Sequence, residues 1–272
     1  MTGKELKESL RSGKRVYGTL IVSTSPKWID IIAQLNLDFV FIDTEHIAID
    51  RHQLSWMCHG YMGKGLVPVV RIPSPDPYQA CMVLDGGAKG LVAPYIESVD
   101  EVRLLRGAVK LKPLKGEKLE DYLNCGKDLE LELAEYLERS NDNNVLIITI
   151  ESQPAVKNLD KILAVPGIDA VLIGPHDLSC SLGIPERYNH PKFLSTVETI
   201  ITKARKANIG AGIHVTFADN VKSEIEWAKM GANLILHSGD INSFVQSMHC
   251  DINTLRKTLN DDYMKSATSI NI

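Results

Sequence analysis

Eight short apolar runs recur along this chain, each ended by a polar or charged residue and separated from the next by a stretch of helical periodicity. Runs this apolar suit strands buried on both faces, and a parallel sheet covered by helices provides that environment. Lys4 to Ser12 reads as a short amphipathic helix, Val16 to Ser23 as the first strand, and Pro26 to Leu35 as a helix capped by Ser25. The second strand, Val40 to Ile42, precedes a helix that Asp50 caps and that runs to about Tyr61. The third, Val67 to Val70, precedes a helix from Pro77 to Leu84, and the fourth, Gly90 to Ala93, precedes one from Ser98 to about Lys110. The rhythm then breaks between Leu111 and Asn144, where Leu119, Tyr122, Leu123, Leu129, Leu133, Tyr136 and Leu137 fit one or two amphipathic helices. It resumes with strands at Val145 to Ile150, Ala170 to Ile173, Ile209 to Ile213 and Asn233 to Leu236.

Eight such units predict an α/β fold, a (β/α)8 TIM barrel within its usual ~250-residue length. One domain over 1–272 is expected, with a helical insertion at about 111–144 and a C-terminal helical tail at about 242–272. A doubly wound open sheet is the alternative, but no G-x-G-x-x-G follows the first strand and no G-x-x-x-x-G-K-[ST] occurs. A net charge of −4 and a pI near 6.1 offer no basic footprint for nucleic acid or an anionic membrane. No apolar run has the length of a membrane span, and the polar start of the chain reads against a secretory signal. Five scattered cysteines without a C-x-x-C argue against a disulfide framework or a structural zinc site, and a reducing cytoplasm is the expected home.

In a barrel the strand ends open onto one face and can be pooled: Ser23, Asp43, Glu45, His46, Arg71, Glu151, Asp177, His214 and His237. Glu151 and Asp177, from adjacent strands, can hold a hard divalent cation, with water and substrate oxygens completing an octahedron; ordinary loop hydrogen bonds are the plainer role for both. The Arg71 guanidinium offers a planar fork to a substrate carboxylate, or else a salt bridge to Asp43. His46 suits a general base, with Asp43 three residues earlier to orient the ring. No lysine ends a predicted strand, so a Schiff-base mechanism lacks its nucleophile, and no G-x-S-x-G elbow supports serine chemistry. His176, His214 and His237 follow the sixth, seventh and eighth strands, and a mouth rimmed by all three would favour a polar, hydroxylated or acidic ligand.

Ile42-Asp-Thr-Glu-His46, Pro68-Val-Val-Arg71, Leu84-Asp-Gly-Gly-Ala-Lys-Gly90 and Ile173-Gly-Pro-His-Asp-Leu-Ser179 resemble the HpcH/HpaI class II pyruvate aldolases, from about Gly18 to Asp240. The resemblance implies a metal-dependent carbon–carbon lyase that cleaves or forms a 4-hydroxy-2-oxo acid from pyruvate and an aldehyde through a metal-stabilised enolate. Glu151 and Asp177 would hold Mg²⁺, Mn²⁺ or Co²⁺, and Arg71 would contact pyruvate beside Gly174, Pro175 and His176. His46 with Asp43 would form the catalytic dyad, and Asp85 would lie near a subunit boundary in a hexamer of swapped dimers. The chain departs from the family pattern at Thr149, where members carry Gln, at Leu20, where Trp is typical, and in Lys112 to Lys118, which keeps a trace of a Gly/Arg-rich loop. A lyase of the citrate lyase β or malyl-CoA type, and a non-catalytic barrel subunit, are the alternatives.

Overall fold

A helical plug starts the barrel. Thr2 and Glu5 cap α1 (Gly3–Ser12) reciprocally, and its Leu6 and Leu10 are fully buried against the barrel interior. The computed structural model describes residues 1–126, 128–215 and 220–261. In it β1 (Val16–Ile21), β2 (Phe39–Asp43), β3 (Val67–Arg71), β4 (Gly90–Ala93), β5 (Val145–Thr149), β6 (Ala170–Ile173), β7 (Gly210–Val215) and β8 (Leu234–Gly239) pair in sequence order, all parallel, and β8 closes on β1. That closure excludes the open sheet.

Around the strands run α2 (Pro26–Ile32), α3 (Arg51–Gly63), α4 (Pro77–Asp85), α5 (Val99–Lys110), α6 (Gly116–Cys125), α7 (Leu131–Asn141), α8 (Gln153–Leu163), α9 (Pro175–Ser181), α10 (Pro191–Lys206), α11 (Asn220–Met230) and α12 (Asp240–Leu259). Capping chemistry sets several starts: Asp50 with Gln53 and Ser98 with Glu101 form reciprocal boxes. Ser25 makes no side-chain cap bond, and α2 begins on Pro26, whose ring presets the helical φ. β1 stops at Ile21 because the next two amides, Val22 and Ser23, donate to the Asp240 carboxylate. α6 and α7 lie between α5 and β5, with the Leu119 and Leu123 side chains close against Gly107 of α5. α12 runs unbroken to Leu259, and 262–272 fall outside the described residues. Among the described residues no helix is long and apolar enough to cross a membrane.

Alternate residues of each strand face the inside. Val16 and Leu20, Phe39 and Phe41, Val67 and Val69, Val145 and Ile147, and Leu234 and Leu236 fill the barrel with α1, while their neighbours pack under the helices. Gly18 sits inward where a β-carbon would come within 2.4 Å of the Phe39 ring. The same alternation corrects the expectation for His237. Since Leu234 and Leu236 point inward, His237 points outward, and its Nδ1 lies 2.9 Å from Glu224 Oε2 on α11. It does not rim the mouth.

The hydrogen bond to Glu224 outweighs the cost of burial and raises the His237 pKa above 6.5. Protonation is therefore favoured by folding. The stabilisation is complete below pH 6.5 and is lost as pH rises through the raised folded value. Denaturant unfolding on either side of that window is expected to show the wild type losing stability as pH rises and Glu224→Gln losing less. Equal pH dependence in the two proteins would contradict the assignment.

Candidate active site

Asp43 ends β2 and Arg71 ends β3, and the two are direct register partners. Both face inward, and the guanidinium grips the carboxylate through two bonds, Nε to Oδ1 at 2.9 Å and a terminal nitrogen to Oδ2 at 2.6 Å. Below it lies the Phe41 ring, whose centroid is 5.6 Å from the guanidinium carbon. Burial works to raise the Asp43 carboxyl, but the hydrogen bonds and charge of Arg71 prevail and hold it below the usual carboxylate range. Asp43 also accepts from the Glu45 amide at 2.9 Å.

The dyad expected between Asp43 and His46 is not formed. His46 is exposed, and its Nε2 lies 3.7 Å from Glu45 Oε1. Asp43 is committed instead to an arginine that is distant in sequence but directly opposite in the sheet. This is the salt bridge weighed above as the alternative role of Arg71.

Glu151 follows β5 and returns to the inner face two residues after Thr149. It is buried, and its Oε1 accepts from the Thr149 hydroxyl at 2.8 Å and the Tyr95 amide at 2.7 Å. A β-carbon on Gly174 would stand 2.5 Å from Glu151 Oε2, so this glycine leaves room for the carboxylate. Burial raises the Glu151 pKa, the two hydrogen bonds oppose the rise, and the charges of Asp177 and Glu45 add to it. Asp177 lies exposed in the first turn of α9, after Gly174 and the buried Pro175.

Glu45 and Tyr95 complete this wall, and neither was given a role from sequence. Glu45 Oε2 forms an ion pair with Arg71 Nε at 3.1 Å, and among the described residues it is buried with no aligned hydrogen bond. Tyr95 adopts a left-handed φ of 56°, which brings its amide to Glu151. A hydrogen bond to Glu45, then burial, pushes its phenol up to about 12. Its place two residues after β4, directly following Pro94, was the one available signal.

These donors suit a hard divalent cation: oxygen ligands only, a carboxylate with a cleared approach, an orphaned buried carboxylate oxygen, and acids whose charges repel. Among the described residues no three His, Cys, Asp or Glu side chains group as a ready-made metal cage. Glu151 and Asp177 would leave most of the coordination shell to water and substrate.

The remaining predicted residues are spread more widely. His214 points into the barrel, its ring centroid 5.4 Å from that of Phe41. Burial and the nearby Arg71 charge lower its pKa to about 4, against Asp43 and a hydrogen bond with the Ser238 backbone. Its Nε2 is buried without a partner among the described residues. His176 is exposed on α9, its Nδ1 3.7 Å from Glu186 Oε1. Asp85 ends α4 and forms an exposed ion pair with Lys112.

The geometry has counterparts. A 2-keto-3-deoxy-L-rhamnonate aldolase from Shigella boydii is 31% identical over 233 residues, 84% of each chain. A hydroxypyruvate/pyruvate aldolase from Roseovarius nubinhibens is 29% identical over 256 residues, 94% of this chain and 97% of that one. The crystal structure of an HpcH/HpaI aldolase from Desulfitobacterium hafniense superposes with a TM-score of 0.78 at 29% identity, covering 92% of this chain and 96% of that one. The sequence profile of the HpcH/HpaI aldolase/citrate lyase family matches residues 17–246, which hold Asp43, Arg71, Glu151 and Asp177, and the chain belongs to that family.

Proposed function

We propose that this protein is a divalent-metal-dependent carbon–carbon lyase that cleaves or forms a 4-hydroxy-2-oxo acid, with pyruvate and an aldehyde as the fragments. The observation that carries the reading is the meeting of Arg71, fixed by Asp43, and Glu151, fixed by Thr149 and Tyr95, at one barrel mouth. The names of the aldolases it resembles point the same way. When bound, the cation (Mg²⁺, Mn²⁺ or Co²⁺) supplies Lewis acidity toward the 2-oxo acid. Glu151 and Asp177 would hold it.

Asp43 occupies one edge of the Arg71 guanidinium and thereby aims the remaining N–H donors. Those donors receive the pyruvate carboxylate, beside Gly174, Pro175 and His176, and add positive charge where negative charge develops. His46 Nε2 takes the proton of the C4 hydroxyl in cleavage and returns it in synthesis. His214, inward and unprotonated at neutral pH, offers its Nε2 lone pair to a hydroxyl of a polar aldehyde. The protein works as a single-domain cytoplasmic oligomer. Phe244, Met248, Ile252, Leu255 and Leu259 form an exposed apolar row on α12, which supports a hexamer in which α12 packs on a neighbour and Asp85 lies near a boundary.

Exchange of pyruvate methyl protons in deuterated water, followed by NMR, is expected to require added Mg²⁺ or Mn²⁺ and to stop with a chelator. Exchange indifferent to the chelator, or a borohydride-trapped adduct, would overturn the metal-dependent reading.

Arg71→Lys keeps the charge and loses the fork. Loss of charged hydrogen bonds costs about 1.5–3 kcal/mol, so kcat/KM for pyruvate is expected to fall roughly ten- to a hundredfold with the fold intact. Undiminished turnover would remove Arg71 from the site.

For the acceptor, glycolaldehyde and glyceraldehyde are expected to outrun propionaldehyde in steady-state synthesis. His214→Ala should narrow that preference, and His237→Ala, altered outside the barrel wall, should leave it. A preference for propionaldehyde, or a ranking that moves only with His237, would refute the role of His214.

A further inference from the structure

A feature that the proposed chemistry does not use lies at the other end of the barrel. A cavity of about 410 Å³ opens where α6 and α7 lie against the plug helix α1 and the C-terminal part of α5. Its lining includes Lys7, Arg11, Arg106, Lys110, Tyr122 and Leu137. Pro166 and Gly167, in the turn that leads into β6, also border it, which places it at the N-terminal ends of the strands, away from Arg71 and Glu151.

Charge around this cavity is not balanced. Asp169 is fully buried and serves two cations, Arg11 at 2.7 Å and Lys110 at 2.5 Å. Asp142 likewise serves two, Lys4 and Lys7, each at 2.7 Å. Glu138 is the third carboxylate at the wall. Arg106 is half-buried and pairs with no carboxylate among the described residues; it donates to the Tyr122 hydroxyl at 3.2 Å, and its guanidinium carbon lies 5.2 Å from the centre of that ring. Four cations, Lys7, Arg11, Arg106 and Lys110, thus line the cavity with two carboxylates, Glu138 and Asp142, and the buried Asp169 behind them is the third. A partly desolvated guanidinium without a counter-ion is costly, and an anion entering the cavity relieves that cost. The volume lies within the range of small-molecule sites, roughly 300–1,000 Å³. Leu129, Leu137 and Pro166 add apolar surface to the lining.

We propose that this cavity is a second ligand site, for a small organic anion with a carboxylate or phosphate head against Arg106 and an apolar body against α7. A ligand there joins α5 and α7 to α1, the helix that plugs the barrel floor, and its binding is independent of the chemistry proposed at the opposite mouth.

Calorimetric titration of the full chain with benzoate, phenyl phosphate and the uncharged benzamide tests this, using an Arg71→Gln background to remove carboxylate binding at the mouth. At least one anion is expected to bind saturably with one site per chain, and the stronger of the two identifies the head group. Benzamide is expected not to bind. Adding Arg106→Gln should weaken the anion at least about tenfold. Ala134→Phe, which fills the cavity without altering its charge, should abolish binding, and it serves equally if Arg106→Gln does not fold. No saturable binding of either anion at millimolar concentration, equal binding of benzamide, or binding that survives the folded variants would overturn the proposal.

Discussion

The barrel's inward–outward alternation governs everything at its mouth. Fifteen buried side chains, from Leu6 and Leu10 of the plug to Leu234 and Leu236 of the last strand, fill the interior, and the residue parity they set continues to each strand's end. Asp43 follows Phe39 and Phe41, Arg71 follows Val67 and Val69, Glu151 follows Val145, Ile147 and Thr149, and His214 follows Gly210 and Gly212. Each arrives at the mouth because its strand is packed two residues earlier. His237 follows Ile235 on the opposite parity and is spent on Glu224.

Within the mouth, one cation answers several acids. Arg71 neutralises Asp43 and lies against Glu45, while Glu151 and Asp177 form no ion pair among the described residues, and burial with mutual repulsion raises the Glu151 pKa. The chain tolerates this by fixing Glu151 with two hydrogen bonds and by placing Gly174 where a side chain would displace it. Thr149 is part of that support. A position where the family pattern carries Gln therefore still serves the carboxylate beside it.

The two ends of the barrel divide their tasks, as parallel barrels do. The C-terminal mouth gathers groups from β2, β3, β5 and β7 onto loops and short turns. The N-terminal end is closed by α1 and by a fully buried carboxylate, Asp169, that also accepts from the Leu146 amide at 2.9 Å. Two further helices, α6 and α7, lie over that end, and they enclose the cavity whose charges the barrel does not itself satisfy.

Much of this was written in the chain. Strand number, parallel order and most helix starts follow from apolar runs and from local caps such as Asp50–Gln53 and Ser98–Glu101, because those signals act within a few residues. Asp43, Arg71 and Glu151 were legible as strand-end groups for the same reason. The choice of partner for Asp43, between His46 and Arg71, was left open by the sequence. His46 is three residues away, yet sheet register brings Arg71 beside Asp43 across 28 residues of chain. The direction of His237 was not legible. Leu234, Ile235 and Leu236 are all apolar, so a strand buried on both faces carries no two-residue signal to tell inside from outside. The cavity at the barrel floor belongs with these. Its lining comes from α1, α5, α6, α7 and the turn before β6, and their charges became a shared imbalance only when long-range packing brought them together.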